Sequence, residues 1–349
     1  MWGLGGRRGL WGFVFIWGVV CFVDELFVLA GLLGVLGESA GEPSVELVGA
    51  RGEGGVSSCG YYVVRRGFGV PPGDVHGLDS HTSVVEFEGV SVIVATGALV
   101  GRVLATVPGV AARWLGVRLN FRGGVELLEG SGLYYRSEVL GVPFDAGFDL
   151  EAARDEVRYH VEGVLAGVWD GGGVLLVDGP VFRVPDVYQS GGGFFRLYLE
   201  LARARAALLR GAVGVVKRVE RSRYLARCAG VGSDDEVAAR RLLNNSPGYV
   251  GPVVVEWEGL RKYLFYVAVP APRGVRVFRV EALEEGLAEE AASWLGSLSD
   301  ASGLPLPLAV ADRVARRLNA AAVKLLYAAS PVEPTYRGLE VVQAALGEL

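Results

Sequence analysis

Cysteine is scarce in this chain. Cys21, Cys59 and Cys228 stand far apart with no Cys-x-x-Cys spacing, which gives no basis for a zinc site or a disulfide framework and fits a reducing, cytoplasmic compartment. Surplus positive charge is missing too: the formal net charge is -5, which excludes a protein that coats nucleic acid by bulk charge but leaves room for a local basic groove. Internal repeats and long low-complexity segments are absent. A continuous membrane span is also lacking. The apolar run from Leu10 to Val23 is shorter than the roughly 20 residues a span needs, and Asp24-Glu25 interrupts it before Leu26 to Leu36 resumes. A membrane role is therefore not expected, although a signal peptide or anchor is one reading of this run. The others are an apolar helix packed on the body or on a partner, and sequence translated from upstream of the true start. Leu26, Leu29, Leu32, Leu33 and Leu36 recur at helical spacing, and such a stripe needs a dimer mate, another partner or the chain's own core to cover it. Gly37 to Pro43 reads as a linker, so residues 1–44 divide from 45–349.

Among the features that are present, the stretch Gly173 to Pro180 (GVLLVDGP) organises the rest. Its continuous apolar residues between Gly-rich and Gly-Pro sequence read as a strand buried on both faces of a sheet. It ends in Asp178, either a simple turn residue or a carboxylate placed where open α/β sheets bind their ligands. Earlier, Val84 to Phe87 and Val90 to Val100 read as strands joined by a turn at Glu88-Gly89. Asp79 sits on or just after a short strand that opens this meander. Val117 to Phe121, Val125 to Leu128 and Leu133 to Arg136 are further candidate strands.

Asp149 to Val168 carries apolar residues at helical spacing behind an N-capping Asp149. If that helix packs antiparallel on the strand ending in Asp178, Glu156 lies about 18 Å back from Val168, level with Asp178, whereas Glu162 lies only about 9 Å back. This favours Glu156 over Glu162 as a partner of Asp178, although a solvated surface charge is the ordinary fate of either. Phe194 to Arg210 reads as a helix and Ala212 to Lys217 as a second buried strand. The resulting βαβ unit makes the two strands parallel neighbours and brings Lys217 to the edge that holds Asp178. Several nearby arginines, Arg205 included, read as positive charge on a solvated helix face. Pro252 to Trp257, Tyr263 to Val269 and Val275 to Val280 predict three antiparallel strands that extend the sheet. Gly303 to Leu308 leads into a helix from Ala309 to Tyr327 that carries Asp312 near its start, where an acid also suits the helix dipole.

Asp79, Glu156, Asp178 and Asp312, with Lys217, are thus the candidate site residues. Carboxylates drawn from separate elements to one sheet edge suit two divalent ions that clamp the attacking and leaving oxygens of a phosphodiester. The order of acids, with a meander first and a βαβ unit after, resembles that of RNase H-like nucleases. The fold class expected is α/β: an RNase H-like mixed sheet flanked by helices, with added antiparallel strands.

At the level of motifs, roughly residues 70 to 320 resemble the NurA nucleases of archaeal DNA end resection. The matching segments are Gly77 to Ser80 (GLDS), Leu175 to Pro180 (LLVDGP), Val213 to Arg218 (VGVVKR), Phe278 to Glu281 (FRVE) and Pro305 to Asp312 (PLPLAVAD). Two positions depart from the family pattern: Leu304 stands where a Tyr is frequent, and Asp312 where a His is. An Asp ligates metal as well as a His does, but any role of the Tyr hydroxyl is lost. The resemblance implies a Mn2+- or Mg2+-dependent nuclease domain over 45–349, with two ions and 5′-to-3′ action on DNA. It also implies a homodimer that works with the hexameric HerA translocase. The alternative is a catalytically weak DNA-binding or assembly partner of that translocase.

Overall fold

Among the described residues, eleven strands form one sheet. In chain order its strands are β1 (Val56–Ser58), β2 (Val63–Arg66), β3 (Val75–Phe87), β4 (Val90–Val100), β5 (Leu104–Val107), β6 (Leu115–Leu119), β7 (Val174–Asp178), β8 (Ala212–Val216), β9 (Gly248–Trp257), β10 (Leu260–Ala271) and β11 (Gly274–Ala282). The spatial order is β1-β9-β10-β11-β8-β7-β3-β4-β5, with β2 also on β9 and β6 also on β4. The computed structural model describes residues 26, 28–33, 56–58, 63–184, 193–220, 222–272, 274–299 and 303–348.

The expected mixed architecture is present. β3, β4 and β5 form an antiparallel meander, while β7 runs parallel to both β3 and β8. β9, β10 and β11 are antiparallel and join the sheet through β8. The Glu88-Gly89 turn joins β3 to β4, with Gly89 at φ 73°, a conformation glycine adopts without steric cost. β3 is one continuous strand, so Asp79 lies within it rather than at the end of a short one. Val125–Leu128, expected as a strand, is a 3-10 helical turn entered from a left-handed Gly124. Leu133 to Arg136 makes only isolated bridges. In both places short apolar content without clear periodicity left strand and turn undistinguished.

Helices α1 (Leu150–Val168), α2 (Phe195–Leu208), α3 (Tyr224–Cys228), α4 (Asp235–Leu242), α5 (Glu285–Leu295), α6 (Leu306–Ala329) and α7 (Tyr336–Glu348) cover the sheet. Asp149 caps α1 by accepting from Ala152 N. β4 is buried from Val90 to Leu99 because helices close on both of its faces. Thr96 Oγ1 donates to Ala315 O of α6, whereas the next residue, Gly97, leaves room for Val161 and Leu165 of α1. Since alternate strand residues face opposite ways, α1 and α6 lie on opposite faces of the sheet.

Leu26, Leu29 and Leu33 are buried in the same core as α1, β3 and β4. The chain's own body, rather than a dimer mate, therefore covers these members of the N-terminal stripe. The Leu10 to Val23 run, the linker and Leu36 lie outside the described residues. Among the described residues no helix is long and apolar enough to cross a membrane. Cys228 is disulfide-bonded, which corrects the expectation drawn from cysteine spacing; Cys21 and Cys59 lie outside the described residues.

A buried charged network holds the added strands to the small helices. Lys262 Nζ donates to Glu281 Oε2 at 2.7 Å, and Arg279 donates to Glu281 Oε1 at 2.8 Å and to Ser222 Oγ at 2.7 Å. Asp235 accepts from the Ser222 and Tyr266 hydroxyls. With Glu281 paired to both cations and Asp235 met by hydroxyl and backbone donors, the cost of desolvating these groups is met inside the network.

Candidate metal centre

Parallel register sets the first two carboxylates side by side. Leu78 lies opposite Val177, so the next residues, Asp79 and Asp178, neighbour each other on one face. On the other side Asp178 lies opposite Val215, and Lys217 follows two residues later on the same face. That face is the one α6 covers. The backbone of α6 comes down directly onto β3 at Gly77, where a Cβ would stand only 2.4 Å from the Pro307 carbonyl. This close seating brings in Asp312, one turn further along α6. One carboxylate oxygen from each of Asp79, Asp178 and Asp312 lies within 4.8 Å of the others.

Lys217 reaches into this group. Its Nζ is 2.5 Å from Asp178 Oδ2 and 3.7 Å from Asp312 Oδ1. Arg316, one turn beyond Asp312, donates to Asp312 Oδ2 at 2.7 Å. Asp79 also accepts from Ser80 N at 2.7 Å.

The charges respond accordingly. Burial, and then the neighbouring Asp178 carboxylate, push the Asp79 carboxyl well above its ordinary range despite Lys217. Burial alone would raise Asp312 as well, but Lys217 and Arg316 outweigh it and hold the group below its usual value. Burial would lower Lys217; Asp178 and the other acids reverse this and raise it. Three crowded carboxylates, one with raised proton affinity, form an all-oxygen donor set that fits a hard divalent cation such as Mn2+ or Mg2+.

Of the five residues expected at the site, the structure gathers Asp79, Asp178, Asp312 and Lys217. Glu156 is placed elsewhere. Its Oε1 accepts from Tyr134 Oη at 2.9 Å and from Glu138 N at 2.7 Å, and the side chain is buried under the meander. The helix-level argument failed because α1 does not lie along β7. It packs over β3, β4, β5 and β6, with Val157 against Gly116 and Val161 and Leu165 against Gly97. This crossing brings the level of Glu162, not Glu156, to Ser80.

Glu162 heads a network that the sequence reading missed. Its Oε1 accepts from Ser80 Oγ at 2.5 Å and from Arg158 Nε at 2.9 Å, and its Oε2 pairs with Arg205 Nη1. Arg205 Nε also donates to Pro180 O at 3.1 Å, in the turn just after Asp178. Burial would raise the Glu162 carboxyl, but Arg205 and then Arg158 hold it down at about 2. Arg205, expected on a solvated face, is only 5% exposed. The available signal was its place in the buried stripe Leu201, Ala202, Arg205, Ala206, where an arginine needs a buried anion.

The NurA domain model matches residues 73–317. Among solved structures, the chain is similar to a NurA nuclease from Sulfolobus solfataricus with 14% identity and a TM-score of 0.46, over 72% of this chain and 81% of that one. It is also similar to a NurA bound to dAMP and manganese, with 9% identity and a TM-score of 0.42, over 72% of this chain and 86% of that one. No curated protein matches the chain in sequence.

Proposed function

The chain belongs to the NurA family, as the match over residues 73–317 shows, and from that membership and the acid cluster we propose that it is a divalent-metal-dependent DNA nuclease. The observation that carries the proposal is the convergence of Asp79, Asp178 and Asp312 oxygens within 4.8 Å. Two similar solved structures are described as containing manganese, in line with this donor set. Asp79, Asp178 and Asp312 would hold the metal, which supplies Lewis-acid polarisation of a phosphodiester. Two ions are proposed, as the clamp on attacking and leaving oxygens requires.

Lys217 balances the carboxylates before metal enters and afterwards offers its ammonium to a phosphate oxygen. Ser80 N and the buried position of Asp79 fix that carboxylate's orientation. Glu162, paired with two arginines and Ser80, acts behind the site by holding β3 and the Asp178 turn together. We further propose 5′-to-3′ resection of DNA ends by a homodimer working with a hexameric HerA-type translocase, in keeping with the family.

The test is cleavage of single- and double-stranded DNA with and without Mn2+, using 5′- and 3′-labelled strands. Metal-dependent cleavage by the wild type, lost in Asp178→Ala, supports the assignment. Absence of cleavage on every substrate with Mn2+ or Mg2+ would overturn it.

A further inference from the structure

Arg158 stands on α1, across the sheet from Lys217, and its guanidinium is used on one edge only. Nε donates to Glu162 Oε1 at 2.9 Å and to Ser80 Oγ at 3.2 Å. Nη1 and Nη2 make no hydrogen bond to any described residue, and the side chain is 33% exposed. Its free edge lies over the turn that follows Asp178: at Gly179, φ 99°, a Cβ would come within 3.9 Å of Arg158 Nη2. Glu162 does not require this second cation, because the buried Arg205 already pairs with its other oxygen. Glu162 is thus met by two cations, Arg158 and Arg205, while Asp155 on the same helix has its own partner in Arg183. Arg205 is buried, so the partly exposed second cation on Glu162 is Arg158, beside the turn that follows Asp178.

We infer that Arg158 is a substrate-binding residue whose free Nη edge takes a DNA phosphate adjacent to the one at the carboxylates. A guanidinium clamped on one edge has already lost its rotamer freedom, and the other edge presents two parallel N–H donors that match phosphate oxygens. A glycine at 179 keeps the turn bare, so a backbone phosphate can approach Nη2 and the site together. This inference rests on the nuclease reading and adds a named phosphate contact to it.

The experiment uses the full chain, with DNA binding measured in EDTA across a salt series and steady-state cleavage measured in Mn2+. Arg158→Gln should raise KM for DNA about tenfold, the scale of one charge-assisted hydrogen-bond pair. It should also flatten the slope of log K against log salt by about 0.7 for a single strand or 0.9 for a duplex. Arg203→Gln, an exposed arginine paired with Glu200 on α2, should change neither. Arg158→Lys keeps a counter-ion for Glu162 but lacks the forked edge, so it should melt like the wild type and still raise KM. If Arg158→Gln folds poorly, the lysine variant decides. Wild-type KM and salt slope in the folded variant would overturn the inference, while a wild type that never cleaves DNA would instead overturn the nuclease reading.

Discussion

Lys217 Nζ and Asp178 Oδ2 stand 2.5 Å apart at the ends of two parallel strands, so an ammonium occupies the ground between carboxylates that a divalent cation would claim. Lys217→Ala should lower the metal-free melting temperature by about 2–6 °C, the scale of a half-buried ion pair in a chain of this size. Saturating Mn2+ should close most of that gap, since the metal then neutralises the same carboxylates. A variant that melts like the wild type without metal would show that the lysine balances nothing.

Asp178→Ala removes a carboxylate without opening the apolar core. Mn2+-dependent cleavage should fall to background, and the thermal shift that Mn2+ gives the wild type should disappear with it. Retained cleavage would remove Asp178 from the site.

Asp79→Asn should stabilise the metal-free protein at pH 7. The folded Asp79 carboxyl titrates well above its unfolded value, so as pH rises past the unfolded value near 3.9 the folded state increasingly bears the cost of ionising it. Asparagine has no such cost. The variant should melt higher than the wild type in EDTA, gain nothing from Mn2+ and fail to cleave. Equal melting temperatures in EDTA would refute the account in which burial, and then the Asp178 carboxylate, makes ionising Asp79 costly.

The Glu162 carboxyl has the opposite sign. Held at about 2 in the fold against about 4.3 unfolded, it contributes stability that is fully present above pH 4.3 and is lost as pH falls toward 2. Glu162→Gln should cost about 3–5 kcal/mol at pH 7 because Arg205 is left buried without an anion. Urea unfolding of wild type and variant at a series of pH values should show the gap narrowing from pH 4.3 downward. A pH-independent gap would point to lost packing instead.

Leu29→Ala should destabilise the chain by about 2–5 kcal/mol, the usual cost of such a cavity, because Leu29 is fully buried in its own core. Oligomeric mass by size-exclusion chromatography should be unchanged. A shift in mass without loss of stability would return the N-terminal stripe to an assembly role.

The sheet was legible where the local pattern allowed one outcome. A buried strand ending at Asp178, a helix of sufficient length and a second buried strand ending beside Lys217 form a parallel pair under chain-handedness rules alone, and the structure shows that pair. Asp312 was legible through the motif that leads into its helix and not through an apolar stripe: that helix buries Leu308, Ala311, Ala315, Asn319 and Val323, while Val310 and Leu325 are exposed. Glu156 was misplaced because sequence gives a helix its length but not its crossing angle. Because α1 packs across β3 to β6 rather than along β7, Glu162 and not Glu156 stands at the Ser80 level. Arg205 was misread because composition marks arginine as a surface residue, and only its partner on another helix makes burial tolerable.

The seating of Pro307 on Gly77 also sets a length scale. The gap between Asp79 and Asp312 is inherited from how deeply one backbone rests on another, and any side chain at 77 would lift α6 and widen that gap. Position 77, which carries no functional group, thus sets how far Asp312 stands from the first carboxylate two residues along the strand.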